Sequence, residues 1–134
     1  MKKLFLFVAI VFAALALSSC SKDGASVSIT NKNLVGTWAM VQTTTEEGET
    51  IDVTPTNYEY YEELVFAESS LTKYHWADNG DKYEWMTSFG EMEYKIKDNV
   101  IWAMGLKGPT IKKLTTKELL LDWGEGEISL YRKK

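Results

Sequence analysis

The strongest constraint on this chain is a period of two that keeps recurring in short runs. From Glu91 to Lys97, Met92, Tyr94 and Ile96 face one way, while Glu91, Glu93, Lys95 and Lys97 face the other. Alternation of this kind is what a β-strand with one buried and one wet face requires. Lys82 to Phe89 repeats it, with Tyr83, Trp85, Thr87 and Phe89 set against Lys82, Glu84, Met86 and Ser88. Further strand-like runs are Leu34–Gln42, Tyr58–Phe66, Leu71–Trp76, Val100–Met104, Thr110–Leu114, Glu118–Trp123 and Glu127–Arg132. Turn residues separate them. Asp78-Asn79-Gly80-Asp81 predicts a tight primed hairpin turn, because Asn-Gly tolerates positive φ. Asp98-Asn99, Gly105–Pro109, Thr115–Lys117 and Gly124-Glu125-Gly126 are the other turns. Thr43 to Asn57, acidic and Thr-rich with Pro55, is expected to loop or cross, with a brief strand near Ile51–Val53. Tyr58–Leu64 is the one place where a short helix also fits the spacing.

These runs define an all-β chain of eight or nine strands joined by short connections. Short connections favour an antiparallel meander, and a meander of this size hides its edges by closing into a barrel. The last strand, with Ile128, Leu130 and Arg132, is expected to pair beside the first, with Trp38.

The N-terminus carries a different signal. Lys2 and Lys3 precede an apolar run from Leu4 to Leu17, and Leu17-Ser18-Ser19 leads into Cys20, the only cysteine. The run is too short and wrongly flanked for a stable transmembrane span and has the layout of an export signal. Its Leu-Ser-Ser-Cys end resembles the bacterial lipobox. That resemblance implies diacylglycerol on the Cys20 thiol, cleavage before it, and a bilayer as partner through acyl chains such as palmitate. The expected organisation is a signal peptide over 1–19, a flexible polar tether over 20–32 and a barrel domain over 33–134. Ser21-Lys22-Asp23 partly resembles the acidic signal that sends some Bacteroidota lipoproteins to the outer face of the outer membrane. The periplasmic and cell-surface faces both stay open.

The barrel region carries a second resemblance. Leu34-x-Gly36-x-Trp38 resembles the Gly-x-Trp element on the first strand of lipocalins and related small barrels. Ile111-Lys112-Lys113-Leu114, Glu118-Leu119-Leu120-Leu121 and Leu130-Tyr131-Arg132 look like the lipocalin-like domains of Bacteroidota lipoproteins. The resemblance implies that Trp38 packs across the closed end of the barrel and that Arg132, near the chain end, covers it. The domain is smaller than a lipocalin and has no obvious C-terminal helix.

Composition narrows the function. Cleavage would remove 19 of 134 residues with two lysines and no acid, leaving 13 basic against 19 acidic residues, a net charge near −6. An acidic domain of this kind is a poor nucleic-acid binder, and no nucleic-acid partner is expected. With Cys20 acylated no thiol remains for a disulfide or for nucleophilic attack. His75 is the only histidine, so no polyhistidine metal site exists, and its place between Tyr74 and Trp76 suits a rim residue. No phosphate loop, Ser-His-Asp context or His-Glu-x-x-His helix occurs. The expectation is therefore no enzyme, no cofactor and no metal. The acids Glu46-Glu47-x-Glu49 and Glu62-Glu63 are taken as solvated surface.

Aromatic residues give the functional expectation. Five tryptophans and seven tyrosines fall largely on strands. An eight-stranded barrel is just wide enough either to fill with side chains or to hold one small molecule. Tyr60, Trp76, Trp85 and Trp102 are expected to face a small apolar or amphipathic ligand at the barrel mouth. The alternative is a packed barrel whose partner is an envelope protein or a glycan.

Overall fold

A computed structural model describes residues 24–134. The signal segment 1–19, Cys20 and the first tether residues lie outside the described residues. A short helix, α1 (Asn31–Leu34), precedes nine strands: β1 (Gly36–Thr44), β2 (Thr50–Asp52), β3 (Glu62–Phe66), β4 (Ser70–Asp78), β5 (Tyr83–Lys97), β6 (Val100–Ala103), β7 (Leu106–Leu114), β8 (Glu118–Gly124) and β9 (Glu127–Lys133). From β3 onward each strand pairs antiparallel with the next, and β1 pairs with both β3 and β9. The result is a closed eight-stranded meander barrel. β2 is the extra strand, paired with the second half of β1 beyond the reach of β3.

Local details depart from the sequence expectation where glycine changes what the backbone can do. β5 is one strand rather than two. Tyr74 pairs with Thr87 and Thr72 with Glu91, so Ser88, Phe89 and Gly90 all oppose Lys73. Gly90, at φ 70°, lets the strand absorb these extra residues without ending. β7 likewise starts at Leu106, where a turn up to Pro109 was expected. A register shift between Val100 and Trp102 on β6 accommodates Gly108 and Pro109, and a Cβ on Gly108 would meet the Ile101 carbonyl oxygen at 2.6 Å. The Asn79-Gly80 segment is no two-residue primed turn: Asp78 pairs with Tyr83 around a longer loop, in which Asn79 Oδ1 accepts the Asp81 and Lys82 N–H groups. The tight primed turns are Asp98-Asn99, Met104-Gly105 and Glu125-Gly126, each with both residues at positive φ.

Inside the barrel the alternation holds as expected on β5. Tyr94 is buried, Met92 and Ile96 are half-buried, and Glu91, Glu93, Lys95 and Lys97 are exposed. One end is closed by apolar side chains. Trp38 and Leu34 are fully buried there, and the Trp38 indole donates to the Leu34 carbonyl at 2.8 Å. Phe66 meets Tyr94 edge-on at 5.3 Å, and the Tyr94 hydroxyl donates to the Ala67 carbonyl at 3.0 Å. Desolvation by burial pushes that hydroxyl up to about 12.

The basic residue over Trp38 is Lys133, not Arg132. Lys133 is the direct cross-strand partner of Trp38, and its Nζ lies 5.5 Å from the indole centroid. Strand parity decides this. Tyr131 is buried inside, Lys133 shares its face two residues on, and Arg132 points outward to Glu118 at 3.1 Å. Gly36 explains the spacing of the Gly-x-Trp element, because a Cβ there would sit 2.6 Å from Lys133 Cε and at φ 139° would also be strained. Glu118, barely exposed, is neutralised from two sides, since Lys113 also approaches it at 3.4 Å.

Residues 24–30, assigned from sequence to the tether, pack against this closed end. Val27 donates its N–H to the Leu114 carbonyl and Thr116 donates to the Ala25 carbonyl, with Ser26 bridged to Thr115. The chain end of β7 offers unpaired backbone groups, and Val27 and Ile29 add apolar side chains to the core.

Candidate ligand site at the barrel mouth

The inward-facing positions change character along each strand. On β1 they run from Trp38 and Met40 to Thr43, and on β3 from Phe66 and Leu64 to Glu62. On β9 they run from Tyr131 through Ser129 to Glu127, and β4 follows Leu71 with Lys73. The far end is therefore polar inside and does not close by packing. A cavity of about 530 Å³ opens there. That volume lies within the range of small-molecule sites.

The cavity's inner groups form a connected set. Tyr131, completely buried, donates its hydroxyl to Glu62 Oε2 at 2.8 Å. Lys73 Nζ lies 3.5 Å from the other Glu62 oxygen and 5.0 Å from the centre of the Trp123 ring. Thr43 and Ser129 share a hydrogen bond of 3.0 Å across the β1–β9 seam. Burial pushes the Tyr131 phenol well above its ordinary value, and the Glu62 charge adds to the shift. Tyr131 therefore stays a neutral donor and holds Glu62 as an acceptor. The rim is acidic, with Glu46, Glu47, Glu59 and Glu127 among the lining residues. Repulsion from Glu125, reinforced by a side-chain hydrogen bond between the two, pushes the Glu46 carboxyl up, and Glu127 contributes in the same sense.

Of the four residues expected to face a ligand, Tyr60 alone lines this cavity. Its phenol is pushed up, chiefly by the neighbouring Glu59 charge. Trp76 and Trp85 are cross-strand partners on the other face of the β4–β5 hairpin, the face that Tyr74 shares with outward-pointing Glu63. There they serve as a rivet. Tyr58 stacks on Tyr83 at 4.5 Å and meets Trp76 edge-on at 5.1 Å, while Trp85 contacts Trp76, Tyr74 and Tyr61. The Trp76 indole donates to the Pro55 carbonyl at 2.9 Å, which ties the segment between β2 and β3 to the hairpin. Trp102 follows buried Ile101 on β6 and so faces outside, paired with Lys95 and Lys107. Strand parity accounts for these faces: Trp85 shares its side of β5 with exposed Glu91 and Glu93, and the irregularity opposite Lys73 adds two residues, which leaves that parity unchanged.

Glu62, Lys73, Trp123, Thr43 and Ser129 carry no motif. Their signal is positional: on β3 and β9, counting in twos from the buried aromatic at the closed end reaches Glu62 and Ser129. His75 is half-buried opposite Glu62 on the same face, with Nδ1 3.1 Å from the Trp76 carbonyl oxygen. Among the described residues no group of three or more His, Cys, Asp and Glu is placed to hold a metal ion, and no helix is long and apolar enough to cross a membrane.

No family model and no curated protein matches the sequence. Among solved structures the chain is similar to a lipocalin-like protein from Bacteroides uniformis, with a TM-score of 0.58 and 18% identity over 76% of this chain and 99% of that one. At that identity the likeness concerns the fold. The chain has the closed antiparallel barrel of a lipocalin-like protein, an architecture that can hold a small molecule at its open end.

Proposed function

We propose that this protein is a bacterial outer-membrane lipoprotein, anchored through acylated Cys20, that binds a small amphipathic molecule in the mouth of its barrel. The observation behind the binding reading is the cavity of about 530 Å³ with Glu62, Lys73 and Trp123 among its lining residues. The lining shifts the expectation from an apolar ligand to an amphipathic one. Met40, Tyr60 and Trp123 offer apolar surface, while Thr43, Ser129 and the rim carboxylates offer acceptors and hydroxyls. Among the described residues one cation lines this cavity, Lys73, and it is already paired with Glu62. A ligand bearing an amine or several hydroxyls at one end fits that balance better than a carboxylate.

Dansylcadaverine, an amine joined to a fluorescent ring system, is a suitable probe. It should bind saturably, take energy transfer from Trp123, and bind at least tenfold more weakly to Glu62→Gln combined with Trp123→Phe. Non-saturable uptake that ignores those changes would remove the cavity as the site. The anchor is tested separately. Cys20→Ser should block maturation, and an identical lipid-free N-terminus in both versions by mass spectrometry refutes the lipobox reading.

A second reading rests on the outer aromatic face of the β4–β5 hairpin. Tyr58, Tyr83 and Trp85 remain partly exposed there after riveting the crossing segment. Exposed aromatic rings suit an envelope protein or the apolar faces of a glycan. Trp85→Ala should abolish that partner's binding and leave dansylcadaverine uptake intact.

A further inference from the structure

The two ends of the barrel carry opposite charge. At the mouth, Glu46, Glu47, Glu59, Glu125 and Glu127 gather around the cavity and the β8–β9 turn. At the closed end, Lys32 on α1, Lys97 beside the β5–β6 turn, Lys112 near the end of β7 and Lys133 on β9 are all exposed. Lys97 and Lys112 belong to neighbouring chain, because Ile111 donates its N–H to the Asn99 carbonyl at 2.7 Å. Among the described residues, Glu68, Glu93 and Asp98 are exposed acids at or beside this end. The segment leading back to Cys20 leaves from this same end, since residues 24–30 are packed along Leu114–Thr116.

Covalent geometry then limits where a bilayer can be. Gly24 is the fourth residue after Cys20, and four residues reach roughly 14 Å at full extension. That is little more than the screening length of about 8–10 Å at ordinary ionic strength. Lysines at the closed end of an anchored chain therefore lie within the field of the lipid headgroups, while the acidic mouth lies on the far side of the barrel. An anionic surface attracts the first and repels the second.

We propose that the closed end of the barrel, through Lys32, Lys97, Lys112 and Lys133, is a docking face for an anionic phospholipid surface that holds the cavity mouth pointing away from the membrane. This rests on the anchored reading of Cys20 and adds to it a face, a partner chemistry and an orientation. The consequence for function is access: ligand enters from the aqueous side and not from the bilayer.

The test uses the lipid-bearing chain in vesicles, labelled with a fluorophore at Ala67→Cys, on the exposed turn of the closed end, or at Thr56→Cys, on the mouth side. Acylation of Cys20 leaves each introduced thiol unique. A quencher on the lipid headgroups reads distance. In vesicles of phosphatidylcholine and phosphatidylglycerol in equal parts, the Ala67 probe should be quenched several-fold more than the Thr56 probe. The ratio should fall at least twofold in pure phosphatidylcholine, in about 1 M salt, and for the combined Lys32→Glu, Lys97→Glu and Lys112→Glu variant. Equal quenching of both probes in the anionic vesicles overturns the orientation. A ratio that ignores lipid charge, salt and the lysine changes overturns the docking face and leaves the tether as the only restraint. Failure of the anchor is a separate result, seen when the chain does not float with neutral vesicles. With Cys20→Ser added so that each introduced thiol stays unique, the two probes then still report on the unanchored chain against anionic vesicles, where a closed-end preference upholds the docking face and its absence overturns it.

Discussion

The closed end and the mouth of this barrel are built from the same strands with the same alternation, and they differ only in what the inward positions hold. At the closed end those positions carry Trp38, Phe66, Leu119 and Tyr131, all almost fully buried. At the mouth they carry Thr43, Glu62, Lys73 and Ser129, which neutralise or hydrogen-bond one another around a cavity. The comparison shows that closure of the sheet and filling of its interior are separate matters. Backbone pairing closes the barrel along both halves, whereas side-chain packing fills one half. Stability is concentrated at one end, which leaves the other free to stay open.

Paired changes at the two ends test this directly. Trp38→Ala should cost about 3–5 kcal/mol in denaturant unfolding, because it empties a packed site. Trp123→Ala, at a residue 36% exposed in the mouth, should cost less, about 2 kcal/mol, because part of its surface already lies in water. Equal costs would break the division of labour. A loss smaller than that of Trp38→Ala and similar to that of Trp123→Ala is expected where the two regions meet. Tyr131→Phe removes the hydroxyl that donates to Glu62, and a bond to a charged group is worth about 1.5–3 kcal/mol. A change below about 0.5 kcal/mol would mean that Lys73 alone satisfies the carboxylate.

Smaller effects sharpen the picture at each end. Lys133→Met keeps the apolar stem over Gly36 and removes the charge over Trp38. It should cost about 0.5–1 kcal/mol, and a shift in tryptophan emission would report the lost ammonium. The smallest effect belongs to the mouth. Thr43→Val together with Ser129→Ala removes both partners of one buried hydrogen bond and should change stability by about 0.5 kcal/mol or less, while either single change costs about 1 kcal/mol. A large loss from the double variant would show that the seam between β1 and β9 depends on it.

Much of the fold was legible in the chain. The alternation on Glu91–Lys97, the turn residues and the short connections led to a closed antiparallel meander, with first and last strands paired and Trp38 buried. The site was less legible. Tyr60 lines the cavity, but Trp76, Trp85 and Trp102 lie on outer faces, Glu62 faces inward although its sequence context reads as solvated surface, and Lys73 carries no sequence signal. A tryptophan's size argues for burial without saying on which side of a sheet, since a crossing segment such as the one around Pro55 and Tyr58 can bury it from outside. An inward Glu or Lys looks like ordinary surface until its partner is known.

What the sequence determined by itself is local: which runs become strands and where the chain turns. The choice of Lys133 over Arg132, the outward face of the hairpin tryptophans, and the packing of residues 24–30 on the closed end were decided by the tertiary structure. The reason is that a side chain's face depends on register against a strand distant in sequence. Every bulge between Met40 and Gln42, or Thr72 and Tyr74, moves that register by whole residues. Periodicity within one strand cannot carry that information, because it is held in the pairing between strands.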